Sequence, residues 1–148
     1  MGTALIQGAI RAGVVGAADV IGCDPYLKSR EAFASATGAK ATAGMDEVVA
    51  TSDVILLCTK PLDVSAALKN AVDVAAGGQR LVISIAAGVT LNSLESVSTD
   101  NFRIIRAMPN TPALVGHGAA GFCLGTRATP GDATITQSLL SAVGLAVE

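Results

Sequence analysis

The side chains best suited to binding a small ligand directly follow apolar, strand-like runs. The clearest case follows FRIIRAM, where Asn110 and Thr111 lie between Pro109 and Pro112. Proline fixes φ and lacks an N–H donor, so this loop has few conformations to lose when it becomes ordered. An amide and a hydroxyl placed in this way are suited to positioning a bound ligand. The alternative is turn chemistry alone, because Asn and Pro also stabilise turns.

Three other apolar runs end in residues of similar character. Small groups at a strand end allow a flat ring or a phosphate to approach the backbone, and a lysine there is suited to a phosphate or ribose. Each of these features has an alternative explanation. Lys60 is then a solvated charge before a turn, and Ala86 and Ala87 provide ordinary strand-to-helix packing. The residues at these ends are Asp24; Cys58, Thr59, Lys60 and Pro61; and Ile85, Ala86 and Ala87.

Residues for covalent or metal chemistry are scarce. The chain has one histidine, His117, and three cysteines, Cys23, Cys58 and Cys123, with no C-x-x-C spacing. This argues against a disulfide framework and against a catalytic or structural metal, so we predict no metal site. We expect the cysteines to be small buried hydrophobic residues in a reducing, cytoplasmic compartment.

The composition indicates one domain that acts on small molecules. The net charge of −2 comes without a basic stripe, which argues against nucleic acid as a partner. The longest apolar runs are far too short to span a bilayer, so we expect no membrane partner. Apolar residues make up 51% of the 148 residues but aromatic residues only 3%, which predicts a core of Ala, Val, Ile and Leu.

Helical and strand-like segments alternate along the whole chain. This pattern predicts an α/β fold, Rossmann-like and doubly wound, with a mostly parallel sheet and helices on both faces. Gly38 is expected to end one helix and Thr90 to cap another, while 39–52 is expected to hold a short helix but little strand. The predicted helices cover 1–14, 26–38, 46–50, 62–78, 90–98 and 129–144, and the strands 18–25, 53–61, 80–88, 102–108, 119–126 and 145–148.

The predicted domain, 1–148, begins at a helix. A dinucleotide-binding domain opens with a strand and a Gly-rich turn, and an acidic residue for the ribose follows about 20 residues later. Gly2 stands where such a turn leads into the helix, and Asp24 lies 22 positions after it. We therefore expect the first strand to be missing from this chain. The alternative is that Gly2 is a residue left over from expression of the protein and not the end of a Gly-rich turn.

Four segments together resemble the pyrroline-5-carboxylate reductase family in order and spacing. They are MGTALIQG, DVILLCTKP, LVISIAAGVTLNSLE and IIRAMPNTPALVGHGA. The resemblance implies reduction of 1-pyrroline-5-carboxylate to L-proline with a nicotinamide cofactor. It also implies a Rossmann domain followed by a helical domain that dimerises and carries substrate-binding residues. That helical domain is expected to be absent from 1–148, and the full-length enzyme to be a homo-oligomer.

The resemblance carries over to the strand ends residue by residue. Met1 and Gly2 are similar to the end of a Gly-x-Gly-x-x-Gly-type turn, and Asp24 matches a position near the adenosine ribose. The segment from Cys58 to Pro61 resembles a Val-Lys-Pro segment beside the cofactor, and Ile85, Ala86 and Ala87 resemble the strand end on the nicotinamide side. Asn110 and Thr111 match the loop at the reaction centre, where their role is positioning, and Asn110 also faces the cofactor.

The acidic residue at position 24 bears on the choice of cofactor. Many family members have Ser or Thr there, and the resemblance implies NADPH. A carboxylate repels a 2′-phosphate and binds a free 2′-hydroxyl, which favours NADH. Lys28 and Arg30 lie nearby in the sequence and offset that repulsion. We favour NADPH, with NADH left open because of Asp24.

Two other functions remain open. A β-hydroxyacid or prephenate-type dehydrogenase shares the Rossmann half and commonly uses a lysine or histidine for proton transfer, for which this chain has no clear candidate. The other possibility is a non-catalytic nucleotide-binding fragment, because the phosphate-binding turn is incomplete. In that case the chain as given is inactive.

Overall fold

Helices and strands alternate in the computed structural model, which describes residues 1–75 and 77–148. The α-helices are α1 (Gly2–Arg11), α2 (Leu27–Thr37), α3 (Met45–Thr51), α4 (Val64–Val74), α5 (Leu91–Glu95) and α6 (Pro130–Ser141). The strands are β1 (Ile21–Cys23), β2 (Lys40–Thr42), β3 (Val54–Leu57), β4 (Arg80–Ser84), β5 (Phe102–Pro109), β6 (Gly118–Leu124) and β7 (Gly144–Val147). Short 3₁₀ helices occupy Ala17–Asp19 and Thr111–Val115.

The strands of the described residues form two separate sheets. β1 and β2 pair in parallel, and the larger sheet has the order β3-β4-β5-β6-β7. Every neighbouring pair in the larger sheet is parallel except β5 and β6. The predicted α/β, Rossmann-like architecture with a mostly parallel sheet is confirmed.

Local signals in the sequence explain several element ends. Gly38 ends α2 in the left-handed conformation, with φ of 71°, which costs glycine little. The Thr90 side chain accepts a hydrogen bond from the Ser93 N–H, so Thr90 caps α5. Thr129 and Asp132 form a reciprocal capping box at the start of α6. The predictions for Gly38 and Thr90 are confirmed.

Three details differ from the expectations. The segment 39–52 does contain a strand, β2, because pairing of Lys40 to Thr42 with β1 supplies what its sequence pattern lacks. β6 runs antiparallel to β5, an orientation that apolar runs do not encode. The helix expected at 62–78 covers only Val64–Val74, and part of that prediction, Ala76, lies outside the described residues.

Two hydrophobic layers cover the larger sheet. On one face, α1 and α6 contribute Leu5 and Leu140 to a cluster with Ile83, Ile105 and other strand residues. On the opposite face, α3, α4 and α5 pack against β3, β4 and the first half of β5. The core is mainly Ala, Val, Ile and Leu, as predicted, with Phe102 and Phe122 as its large aromatic members.

The packing of α1 leaves no room for side chains at two of its glycines. A Cβ atom on Gly8 would lie 2.2 Å from Val143 Cγ1, and one on Gly2 would lie 2.8 Å from Cys58 Sγ. Leu5 and Ala9 are almost completely buried on the same helix. The glycines therefore allow the backbone of α1 to pack against the end of β3 and the chain after α6.

A buried ion pair links α6 to β5. Arg103 donates from Nε to Asp132 Oδ2 (2.8 Å) and from Nη2 to Asp132 Oδ1 (3.0 Å). The Arg103 hydrogen bond, with further bonds from Thr129, lowers the pKa of Asp132 to about 2. The same hydrogen bond raises the pKa of Arg103. The Asp132 side chain is 3% exposed and that of Arg103 is 23% exposed, so solvent screens this pair only in part.

Replacing Asp132 should make stability depend on pH in a defined direction. Because the folded pKa lies below the ordinary value of 3.8, the carboxylate stabilises the fold above about pH 4, and this contribution disappears as pH falls towards 2. Asp132→Asn should lower the free energy of unfolding by about 2 kcal/mol at pH 7 and by little near pH 2. Urea unfolding across that pH range measures the difference.

Asp100→Asn is the matched control. Asp100 pairs with Arg127 at 3.2 Å, but its side chain is 96% exposed. Its replacement should change the free energy of unfolding by less than about 0.5 kcal/mol at either pH. A loss for Asp132→Asn that is equal at pH 7 and pH 2 would contradict the assignment to the ion pair.

Candidate functional site

An open groove separates the two sheets. It lies between the edge of β1 and the edge of β3, with the start of α1 along its length, and its volume is about 1480 Å³. Four of the predicted site residues line it together: Gly2, Asp24, Cys58 and Thr59. Arg30 of α2 also lines it. The structure thus brings together residues that lie up to 57 positions apart in the sequence.

The N-terminus of α1 meets the end of β3 in this groove. Gly2 contacts Cys58 so closely that no larger residue fits at position 2 without a shift. The first turn of α1 contains no acidic side chain. Because the first N–H groups of a helix have no partner within the helix, this end of α1 presents unpaired donors and a positive dipole end.

The hydroxyl group of Thr59 is buried and lacks a hydrogen-bond partner in the described part of the chain. Its Oγ1 atom forms no hydrogen bond with any residue that the structure describes. A buried hydroxyl without a partner costs free energy, commonly about 1–3 kcal/mol. Thr59 lies two residues after the end of β3 and lines the groove beside the start of α1, so a polar group of a ligand bound there would satisfy it.

Cys58 does not behave as a nucleophile. Burial of its thiol raises the pKa to about 12, although the residue as a whole retains exposed surface. The thiol is therefore neutral at physiological pH, and a neutral thiol is a poor nucleophile. Its contribution is the shape of the wall beside Gly2.

The turn after β1 brings an acidic and a basic side chain, Asp24 and Arg30, close together. Asp24 Oδ1 accepts a hydrogen bond from the Tyr26 N–H at 2.8 Å. The Arg30 guanidinium donates from Nη1 to the carbonyl oxygens of Asp24 (2.8 Å) and Pro25 (3.0 Å). A positive group is thus fixed at the turn that also carries the Asp24 carboxylate.

An arginine on β5 anchors the segment that follows β4. Arg106 Nε donates to the Val89 carbonyl oxygen at 2.6 Å. Ala86 is buried at the end of β4, while Ala87 is exposed. Arg106 was not among the predicted site residues; its signal in the sequence was a charged residue within an apolar strand.

The Asn110 side chain has one end fixed and one end free. Its Oδ1 accepts a hydrogen bond from the Ala119 N–H at 2.9 Å, across the 3₁₀ helix Thr111–Val115. The residue is exposed, and no hydrogen bond from its amide nitrogen is recorded among the described residues. The bond to Ala119 makes Asn110 part of the loop's structure and leaves its N–H donors available.

The remaining predicted site residues do not line the groove: Met1 precedes α1, and the others lie near strand ends. Lys60, Pro61 and Thr111 are exposed, and Ile85 is half-buried. Met1 is 39% exposed. Because β3, β4 and β5 are parallel neighbours, their carboxyl ends still share one edge of the sheet. That edge continues from the groove towards Asn110.

The expectation of buried cysteines was wrong. All three are exposed as residues and their thiols are free. Cys23 and Cys123 lie on strand positions that face away from the core, and alternation along a short strand does not reveal which face is covered. Burial and the neighbouring Asp24 raise the pKa of Cys23.

Residues 1–75 and 77–148 contain no group of three or more His, Cys, Asp or Glu side chains placed to hold a metal ion. Among these residues no helix combines the length and apolar character needed to cross a membrane.

One protein-family model matches more than half of the chain. It is described as NADP oxidoreductase coenzyme F420-dependent and matches residues 1–88. This segment includes α1, the turn at Asp24, the end of β3 and the end of β4.

Curated relatives are similar over the whole length of the chain. The pyrroline-5-carboxylate reductase of Methanosarcina acetivorans is 39% identical over 153 aligned positions, which cover 100% of this chain and 54% of the relative. That of Pasteurella multocida is 37% identical over 97% of this chain and 53% of its own length. The chain therefore spans about half the length of the curated relatives it matches.

Solved structures share the fold. A pyrroline-5-carboxylate reductase from Coxiella burnetii superposes with a TM-score of 0.91 at 27% identity, over 99% of this chain and 54% of the other. The Plasmodium falciparum pyrroline carboxylate reductase with NADP bound superposes with a TM-score of 0.84 at 25% identity. The match covers 99% of this chain and 52% of the other. Prephenate dehydrogenase from Aquifex aeolicus superposes with a TM-score of 0.81 over 100% of this chain and 55% of the other. Its sequence identity is 15%, so this match shows only a common fold.

These matches agree with the segments that carried the resemblance in the sequence. The chain belongs to the NADP oxidoreductase coenzyme F420-dependent family, and its resemblance to pyrroline-5-carboxylate reductases is confirmed along its whole length.

Proposed function

We propose that this chain is the dinucleotide-binding part of an enzyme that reduces 1-pyrroline-5-carboxylate to L-proline with NAD(P)H. The observation that carries the proposal is the similarity to reductases of that name along the entire chain, including the loop at Asn110. Assaying NADPH oxidation with 1-pyrroline-5-carboxylate on the complete enzyme tests it. No substrate-dependent oxidation above the rate without enzyme would refute it.

The groove fits a nicotinamide dinucleotide in two independent ways. Thr59 Oγ1 is buried beside the start of α1 with no hydrogen-bond partner among the described residues, and Gly2, which lacks a side chain, lets the first turn of α1 lie against Cys58. We propose that the N–H groups at Met1 and Gly2 bind the phosphates and that Asp24 binds the adenosine ribose. Cys58, Thr59, Lys60 and Pro61 form the wall beside the cofactor in this proposal.

The far end of the same edge is proposed to hold the reacting groups. Ile85, Ala86 and Ala87 line the nicotinamide side, and Arg106 fixes the segment after them through Val89. The Asn110 amide and the Thr111 hydroxyl position the nicotinamide or the substrate by donating hydrogen bonds. Neither moves a proton in this proposal.

Such a site matches the modest demands of imine reduction. The bound cofactor supplies the hydride to the carbon of a protonated C=N bond, which is already electrophilic. The protein then needs to orient the cofactor and the substrate and to exclude water from them. Holding the two reactants in a reactive geometry raises their effective molarity. This fits a chain whose only histidine, His117, is exposed and whose Cys58 thiol is neutral.

Two alternatives are less well supported. The likeness to prephenate and 3-hydroxyisobutyrate dehydrogenases rests on fold, with 14–16% identity. A non-catalytic nucleotide-binding fragment would bind cofactor but show no substrate-dependent turnover in the complete gene product. The same assay therefore separates both from the reductase.

We further propose that a strand preceding Met1 belongs in the groove. The observed order β2-β1, gap, β3-β4-β5 matches the doubly wound order 3-2-1-4-5-6 with its strand 1 left out. The strand edges on both sides of the gap, at Ile21 to Cys23 and Val54 to Leu57, line the groove. In that arrangement 1–148 is one Rossmann domain, and the second half of the enzyme carries substrate contacts.

For the complete enzyme we propose a cytoplasmic homo-oligomer that acts on a small molecule. Neither nucleic acid nor a membrane is a partner in this proposal. The low net charge and the lack of a basic stripe support the first point.

Asn110→Asp should separate the two ends of this side chain. The variant keeps an oxygen for the Ala119 N–H but loses the amide donor, so kcat/KM should fall more than tenfold, about 1.4 kcal/mol, with little change in Tm. Asn110→Ala loses both functions and should also lower stability by about 1 kcal/mol. Steady-state kinetics and thermal unfolding of the complete enzyme measure these effects. Full activity in Asn110→Asp would exclude a role for the amide donor.

Arg30 should determine the preference between NADPH and NADH. Its guanidinium is fixed at the turn beside Asp24, where it offsets the repulsion between that carboxylate and a 2′-phosphate. We therefore propose NADPH as the preferred cofactor. Arg30→Met should lower kcat/KM for NADPH about tenfold and leave that for NADH nearly unchanged. Lys28→Met, which removes an exposed positive charge two residues earlier at a position that does not line the groove, is the matched control. A wild-type preference for NADH would refute the choice.

Adding the preceding strand should protect the edge of β3. In 1–148 the side of β3 that faces the groove has no strand partner among the described residues. When the natural upstream segment is present, the amide hydrogens on that edge should exchange at least tenfold more slowly, because each gains a ladder bond. Amide exchange in both proteins measures this, and the β4–β5 amides, paired in both, are the control. Unchanged exchange on β3 would contradict the proposed strand.

A further inference from the structure

Arg106 lies on β5 and binds the turn that connects β4 to α5. Its Nε donates to the Val89 carbonyl oxygen at 2.6 Å. Its Nη2 also donates to Met108 Sδ at 3.3 Å, which holds the guanidinium near the carboxyl end of β5. Because Val89 directly precedes the Thr90 cap of α5, this one side chain ties β5 to the segment between β4 and α5.

The neighbouring strands leave space for this guanidinium on the sheet. Arg106 pairs with Ser84 of β4 on one side and with Cys123 of β6 on the other. Directly opposed residues point to the same face, and both of these side chains are small. The guanidinium carries five N–H donors in a planar fork, so it serves two acceptors at once, whereas the flexible ammonium of lysine has no such fixed geometry.

The turn between β4 and α5 has few hydrogen bonds of its own. The Ala86 N–H makes a long bond of 3.4 Å to Ser84 Oγ. The backbone N–H groups of 87–89 donate to no backbone carbonyl among the described residues. The bond from Arg106 to Val89 is short and charge-assisted, and such bonds are the strong ones. Arg106 is therefore the main restraint on the position of this turn.

The position of this turn affects the reaction in the proposed reductase, where Ala86 and Ala87 border the nicotinamide ring. Hydride transfer requires the two reacting carbon atoms to be held close together, and a displacement of about 1 Å can lower the rate about 100-fold. We propose that Arg106 is a positioning residue that fixes the nicotinamide ring against the substrate by holding the turn after β4. This role rests on the proposed reductase activity, and the guanidinium itself transfers neither hydride nor proton.

A purely structural role for Arg106 is the alternative, and Arg80 offers a direct comparison. Arg80 is the first residue of β4, so it lies at the opposite end of the strands from their carboxyl edge. Its Nε donates to the Val49 carbonyl oxygen and its Nη1 to the Gln79 carbonyl oxygen, both at 3.0 Å. Both arginines are half-buried. Arg80 therefore makes the same kind of contact away from the proposed site.

Single-turnover kinetics of the complete enzyme test this role, with Arg106→Met compared with Arg80→Met. Methionine keeps an unbranched apolar side chain but removes every N–H donor. With saturating 1-pyrroline-5-carboxylate, Arg106→Met should oxidise bound NADPH at least about tenfold more slowly than the wild type. NADPH that carries deuterium at the transferred position should slow this step further, which identifies the measured step as hydride transfer.

Arg80→Met should lower the melting temperature, because it loses the same kind of contact, but should transfer hydride at the wild-type rate. A wild-type rate in Arg106→Met would overturn the proposal. So would a slowing that Arg80→Met shares to a similar extent, because the loss would then follow from weakened packing of the sheet.

Arg106→Lys takes the place of Arg106→Met if the latter fails to fold. Lysine keeps the positive charge and one possible bond to the Val89 carbonyl oxygen, so the single-turnover rate should fall about threefold or more. A wild-type rate in Arg106→Lys would then exclude the positioning role.

The behaviour of the wild-type enzyme separates this role from the reductase activity. No substrate-dependent oxidation of NADPH by the wild type would refute the proposed reductase, and the role of Arg106 with it. An active wild type whose Arg106 variants transfer hydride at the same rate would overturn only the role of Arg106.

Discussion

The close approach of α1 to the larger sheet is the constraint on which the candidate site depends. Gly8 lets the helix backbone lie against Val143, and Gly2 lets its first turn lie against Cys58. With Leu5 and Ala9 buried below it, the helix has little freedom to slide. The positive end of its dipole is therefore fixed beside the carboxyl end of β3, where a ligand with phosphate groups gains most from it.

The rest of the site follows from the parallel pairing of β3, β4 and β5. Parallel neighbours end at one edge, so loops that are far apart in the chain share a single border. Hydrogen bonds between those loops then restrict them: Arg106 binds the Val89 carbonyl, and Asn110 accepts from Ala119. The antiparallel strand β6 matters here, because it places Ala120 opposite Pro109 and so brings the Ala119 N–H, the donor that anchors Asn110, beside that residue.

Much of the fold could be predicted because its signals are local. The αL glycine at position 38, the Thr90 cap and the long apolar runs each depend on a few neighbouring residues. β2 escaped prediction because three residues, Lys40 to Thr42, carry no usable periodicity and become a strand only by pairing with β1. The cysteines were misjudged for a related reason: a strand pattern shows two faces but not which of them is covered.

Most of the element order, the residues at the strand ends and the resemblance to reductases could be predicted from the sequence, because these depend on residue type and spacing. Only the tertiary structure decided which of those residues meet: Gly2 with Cys58 in the groove, Arg30 at the Asp24 turn, and Asn110 with one end anchored. It also revealed that the buried hydroxyl of Thr59 has no hydrogen-bond partner among the described residues. Such facts arise from contacts between distant segments, and pairing and burial at that range are set by packing of the whole domain.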